Sequence, residues 1–153
     1  MEITSKVSSA IDFAWNCHKN QVDKSGKPYF YHVLRVALRV ADLGESFLIT
    51  ALLHDTIEDC GILPSEINEK FGEEITNAVI SVTRQTFPYK ETYMSLIERA
   101  SQNKIGREVK LADLEDNMMP ERIASLPPEQ RDILKRYERA KKHILISREN
   151  ISL

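Results

Sequence analysis

Cysteine is scarce in this chain: Cys17 and Cys60 are the only two among 153 residues. Two thiols cannot build a disulfide framework, which points to a reducing, cytoplasmic setting. A basic excess is also missing. Lys plus Arg is 21 against 23 Asp plus Glu, a net charge of −2, and a general nucleic-acid binder normally carries surplus positive charge. A small anionic ligand is still allowed, because a local pocket can be basic on a near-neutral protein. No apolar run approaches the roughly 20 residues that span a bilayer, and the opening MEITSKVSSA has no apolar stretch of the signal-peptide kind. No membrane association is expected. Alternating strand patterns and internal repeats are missing too.

The chain does have helical periodicity. Its 42% hydrophobic and 29% charged residues suit one globular domain over residues 1–153, and the length leaves no room for a second core. Val7, Ile11, Ala14, Trp15 and His18 recur at steps of three and four, one stripe of a helix that Thr4 or Ser5 would cap. A polar turn, QVDKSGKP, follows at 21–28. A second helix is expected over 31–43, with Val36, Val40 and Leu43 on its apolar side and Gly44 as its stop. The third, 45–58, carries FLITALLHD and is apolar around much of its circumference, as a buried central helix would be. Pro64 opens a fourth helix. Further helices are expected over 72–84, 92–103 and 106–118, with a loop at 83–91 broken by Pro88, and a last one opens at Pro127-Pro128. The fold class is all-α, with antiparallel neighbours.

Charge is concentrated where it is costly. His54-Asp55 and then Glu58-Asp59 follow the apolar run ALL in ALLHDTIED. Four ionisable groups on a largely buried helix need compensation, and a divalent cation would provide it. On one continuous helix Glu58 shares a face with His54, and Asp59 with Asp55, so the later pair would sit where an attacking water lies. His32, in YHVLRVA, and Asp113, in VKLADLEDN, complete a set of two imidazoles and two carboxylates. That mixture suits manganese, iron, zinc or nickel better than calcium or magnesium. Lys110, Asp113 and Asn117 share one helical face, so Asn117 could place an amide beside a bound substrate. Each residue alone has a structural reading: Glu58 and Asp59 as surface charges at a helix end, His32 as a core or capping histidine, Asp113 paired with a cation, Asn117 facing solvent. His18 has the place of a structural residue holding the 21–28 turn.

In order and spacing these residues are similar to a known family. The series is H18-x-x-Q21-x-x-K24-S25-G26-x-P28-Y29, H32-x-x-x-V36-A37, A51-L-L-H-D-T-I-E-D59, F71-G-x-E74-I75, V82-T83 and V109-K-L-A-D113-x-x-x-N117. It resembles the hydrolase domain of the RelA/SpoT proteins, and more closely the small stand-alone alarmone hydrolases, over roughly 18–117. The resemblance implies an HD-domain helical bundle with one bound Mn²⁺. It implies His32, His54, Asp55 and Asp113 as ligands, and Glu58 and Asp59 as the pair that orients and activates water. It also implies removal of the 3′-pyrophosphate from an alarmone, (p)ppGpp or (p)ppApp. Lys24, Ser25 and Asn117 match nucleotide-contacting positions, and Tyr137 another. The chain beyond the match is too short for a synthetase domain, so none is expected. An antitoxin role, clearing a toxic alarmone made by a partner synthetase, is compatible with this reading.

The chain also departs from the family pattern. Asp23 stands where the family usually has an Arg that stacks on guanine, and Leu114, Asp116, Met119 and Pro120 replace the usual residues of its KLADRLHNMRT run. Asn20 and Val33 replace a usual Gly and Pro. The metal and water residues are intact while the base-recognition surface is changed. Two other readings therefore stay open. One keeps the metal but takes another nucleotide phosphate, such as a nucleoside mono- or triphosphate or NADPH. The other is a non-catalytic nucleotide-binding module.

Overall fold

The computed structural model of the chain describes residues 2–152, and their side chains through residue 150. Residues 1 and 153 of the expected single domain lie outside the described residues. The described residues are helical throughout, apart from turns and one isolated bridge between Val22 and Pro28. The helices are α1 (Ser5–His18), α2 (Phe30–Val40), α3 (Glu45–Leu53), α4 (Thr56–Cys60), α5 (Pro64–Phe71), α6 (Glu73–Ser81), α7 (Tyr93–Gln102), α8 (Lys104–Asn117), α9 (Pro120–Ala124) and α10 (Ile133–Ser152). Short 3₁₀ turns occupy Ala41–Leu43 and Pro128–Gln130. None of these helices is long and apolar enough to cross a membrane.

Side-chain caps start several helices. Thr4 accepts the Val7 N–H at 3.2 Å, Thr92 that of Ser95 at 3.1 Å, and Asn103 those of Ile105 and Gly106 at 3.1 and 2.9 Å. These bonds satisfy amides that have no partner inside the helix. Pro64 occupies the first turn of α5.

Two helices are buried nearly all round, and each carries part of the site. Leu48 through Leu53 of α3 are all buried, and the helix packs against α1, α2, α6 and α8. Each fully buried leucine or isoleucine there contributes about 1.5–3 kcal/mol, which holds the helix firmly. Helix α8 divides its apolar residues between two cores. Ile105, Val109 and Ala112 join the main core, while Leu111 and Leu114 meet Ile97, Ala140 and Ile144 from α7 and α10. Gly106 lets α8 approach α6 closely, because a Cβ at that position would collide with the Ser81 hydroxyl.

The structure corrects several sequence expectations. The helix expected over 45–58 is broken at His54-Asp55, where Asp55 leaves helical geometry (φ −107°, ψ 3°). The Thr56 hydroxyl donates to Leu53 O at 2.8 Å and covers part of the break. The helix expected over 31–43 gives way to a 3₁₀ turn after Val40, and Leu43 is exposed. The helix expected over 72–84 ends at Ser81, and the last helix begins at Ile133 rather than at Pro127-Pro128. Short helix α9 was not anticipated. Trp15 is exposed rather than part of the α1 buried stripe, and lies edge-on to Phe30, 5.4 Å between ring centroids.

Candidate metal centre and nucleotide cleft

Three helices deliver the candidate ligands to one point. His32 comes from the first turn of α2, His54 from the end of α3, and Asp113 from the last turns of α8. All three are buried, and one ligand atom from each lies within 4.8 Å of the others. Asp113 Oδ1 is 3.0 Å from His32 Nε2 and 3.5 Å from His54 Nε2. Asp55 Oδ2 borders the group, 2.9 Å from His54 Nε2 and 4.0 Å from His32 Nε2. The break after Leu53 is what turns Asp55 toward the triad.

The donor set fits a divalent ion. His54 Nε2 is buried and makes no hydrogen bond, although Asp55 Oδ2 is only 2.9 Å away. Atoms so close yet misaligned for a hydrogen bond are arranged as neighbours on a shared ion are. The other nitrogen, His54 Nδ1, is 2.6 Å from Ala51 O, which directs Nε2 inward. Burial opposes charge on both imidazoles, yet the neighbouring Asp113 and Asp55 carboxylates raise His54 well above its ordinary pKa, and Asp113 and Asp116 raise His32. Carboxylate oxygens thus lie beside both inward-facing imidazole nitrogens. Burial also opposes ionisation of Asp113 and Asp55. Lys110 and the two histidines outweigh it at Asp113, as His54 and His32 do at Asp55, and both carboxyls stay below the usual range.

Supporting residues fix the ligands. Lys110 Nζ donates to Asp113 Oδ2 at 2.9 Å, and Asn117 Nδ2 donates to Oδ1 at 3.3 Å, so the face shared by 110, 113 and 117 is as the spacing suggested. The Tyr29 hydroxyl donates to Asp55 Oδ2 at 2.5 Å. His32 Nδ1 meets Asp116 Oδ2 at 2.6 Å. Tyr29 was read from sequence only as part of the 18–29 motif and Asp116 only as a departure from the family pattern, neither with a role at the site, and Arg35 and Arg122, which also bind Asp116, were not singled out. Helical spacing held a signal for two of them: Arg35 is three residues after His32, and Asp116 three after Asp113.

Glu58 and Asp59 stand at the exposed rim on α4. Glu58 accepts the Arg84 backbone N–H. Asp59 accepts from Gln21 Nε2 at 3.1 Å, while Gln21 Oε1 is 2.7 Å from His18 Nδ1. Loss of hydration raises both carboxyls, and the Asp55 charge adds to the effect. On one side of Asp59 a broad groove of about 880 Å³ runs along α1 and α4. A tighter cleft of about 220 Å³ opens beside the triad, lined by Lys24, Tyr29, Asn117, Arg122 and Tyr137 among others. Two of its lining residues, Tyr29 and Asn117, hydrogen-bond the Asp55 and Asp113 carboxylates, which places the tighter cleft next to the candidate ligands.

The remaining candidates divide between two clefts. Lys24 Nζ donates to Gln130 Oε1 at 2.8 Å and lines the tighter cleft with Asn117 and Tyr137. Ser25 lines a neighbouring cleft, with its hydroxyl donated to Asp23 Oδ1 at 2.7 Å. The same Asp23 oxygen accepts the Ser25 and Lys27 N–H groups at 2.9 and 3.0 Å. Asp23 therefore ties the 23–27 turn together.

The profile of the family described as HD domain matches residues 10–113. The chain belongs to the HD-domain family. It is related within it to the RelA/SpoT-type alarmone hydrolases. It is 38% identical over 120 residues to a guanosine-3′,5′-bis(diphosphate) 3′-pyrophosphohydrolase of Aquifex aeolicus, covering 74% of this chain and 17% of that protein. It is 35% identical over 134 residues to a probable GTP pyrophosphokinase of Mycobacterium leprae, covering 82% and 17%. This HD-domain chain thus spans less than a fifth of the length of these curated relatives. A solved structure described as a metazoan ortholog of SpoT that hydrolyzes ppGpp superposes with a TM-score of 0.80 at 25% identity, over 95% of this chain and 88% of that one.

Proposed function

We propose that the chain is a metal-dependent phosphohydrolase that removes the 3′-pyrophosphate of an alarmone nucleotide, (p)ppGpp or (p)ppApp. The hydrolase reading is carried by the buried His54 Nε2, which has no hydrogen-bond partner and faces His32 and Asp113. The alarmone reading is supported by the pyrophosphohydrolase relative and by the ppGpp-hydrolysing structure. His32, His54 and Asp113 would hold the ion, with Asp55 as a fourth ligand. Manganese is our choice among the metals that suit mixed nitrogen and oxygen donors. A bound dication supplies Lewis-acid polarisation of the phosphoryl oxygen and lowers the pKa of water.

The chain's own residues account for the rest. Glu58 is the general base that takes the water proton, and its raised pKa brings it nearer neutrality, where a base works best. Asp59, held by Gln21, orients the water. Lys24 exchanges its bond to Gln130 for a phosphate oxygen and stabilises the developing negative charge. Ser25, Asn117 and Tyr137 hold the nucleotide. The placement of Asp23 beside Lys24 puts a negative charge where the family's arginine would stack on guanine, so guanine and adenine alarmones are both proposed substrates. An antitoxin role, clearing an alarmone made by a partner synthetase, is compatible with this activity.

The test is a panel of ppGpp, pppGpp, ppApp, pppApp, nucleoside triphosphates and NADPH with purified protein and Mn²⁺. Pyrophosphate release from an alarmone, abolished by a chelator, is expected. Turnover confined to the other nucleotides would redirect the substrate, and binding without turnover across the panel would contradict the enzyme reading.

A further inference from the structure

Asp116 is wholly buried and stands where the family pattern has a histidine. It gathers three cationic or donor groups from two helices, His32 and Arg35 of α2 and Arg122 of α9. Oδ2 accepts from His32 Nδ1 at 2.6 Å, Oδ1 and Oδ2 from Arg35 Nε and Nη2 at 2.7 and 3.1 Å, and Oδ2 also from Arg122 Nη1 at 3.0 Å. Arg122 Nη1 lies 2.8 Å from His32 Nδ1 as well. A guanidinium only donates, so with a proton on Nδ1 the two groups are neighbours that share Oδ2 as acceptor. Arg122 also donates to Asn117 Oδ1 at 2.6 Å, and Asn117 donates to Asp113. The network thus touches two members of the triad, and Arg122 lines the nucleotide cleft.

We infer that Asp116 is the positioning residue of the metal centre: it accepts a hydrogen bond from the Nδ1–H of His32, fixes the imidazole in the tautomer whose Nε2 lone pair faces the ion, and anchors Arg122 at the cleft. This rests on the metal-centre reading above. A carboxylate on the outer nitrogen of a liganding histidine fixes the ring and raises its basicity, and removing one typically costs about 10–100-fold in metal affinity. A merely structural Asp116 would serve only as the counter-charge of Arg35 and Arg122. Arg35→Gln breaks the larger part of that ion pairing and leaves the His32 bond.

Mn²⁺ affinity is measured by calorimetry on the full chain, without substrate, for wild type, Asp116→Asn and Arg35→Gln. A loss of about 10–100-fold is expected for Asp116→Asn, and less than about threefold for Arg35→Gln. Equal losses in the two variants, or wild-type affinity in Asp116→Asn, would overturn the inference while leaving the metal centre standing. Wild type that binds no divalent ion would remove the metal-centre reading itself. Should Asp116→Asn fail to fold, long-range ¹H–¹⁵N spectra of zinc-loaded wild type decide the matter. A proton on His32 Nδ1 with the metal on Nε2 supports the assignment, and the opposite tautomer overturns it.

Discussion

Deleting one member of the triad dismantles the seat of the ion and leaves the remaining buried carboxylate and imidazole without their compensating charge. His54→Gln is therefore expected to abolish measurable Mn²⁺ binding and to lower kcat by about 10²–10⁴, the several kcal/mol that a Lewis acid supplies. Isothermal titration and pyrophosphate release check the two parts separately. Glu58 gives a different signature, because it sits at the rim and not among the three ligands. Glu58→Gln should keep Mn²⁺ affinity and lose about 10²–10⁴ in kcat, on the scale of a general base. The sign of its pH dependence follows from its environment. Lost hydration raises the Glu58 carboxyl, a base acts only when ionised, and activity therefore climbs with pH through a limb above the ordinary glutamate range. That limb should vanish from the pH profile of Glu58→Gln. A limb at or below the ordinary range would assign the proton to another group.

The same centre depends on how α8 is built. Asn103 caps it with two backbone hydrogen bonds, and Asn103→Ala should cost about 0.5–2 kcal/mol in urea denaturation. Gly106→Ala would force the Ser81 hydroxyl from its bond to Ala78 O. Overpacking of this kind costs about 1–3 kcal/mol, and adding Ser81→Ala should recover part of it. Much of this level was legible in the sequence. The order of helices followed from periodicity, and Thr4, Pro64 and Thr92 mark helix starts that the structure keeps. The break at His54-Asp55 was not legible, since the apolar run and the following TIED continue a helical pattern and no glycine or proline interrupts it. The one-face relation of Asp55 and Asp59 survives in part, because Asp59 N–H still donates to Asp55 O at 2.9 Å. The bond between His32 and Asp116 joins residues 84 apart. Periodicity within one helix carries no information about such a pair.

At the scale of the whole molecule, the triad clamps α2, α3 and α8 together, so an ion that binds only the native arrangement must stabilise the fold. Mn²⁺ at 100 times its Kd is expected to add about 2.7 kcal/mol, seen as a rise in Tm that a chelator reverses and that His54→Gln lacks. The most direct test of the metal centre is the anomalous scattering of Mn²⁺-soaked crystals. One ion is expected between α2, α3 and α8, roughly 2.0–2.3 Å from His32 Nε2, His54 Nε2 and an Asp113 oxygen. Manganese bound elsewhere, with the two imidazoles turned away from Asp113, would contradict it.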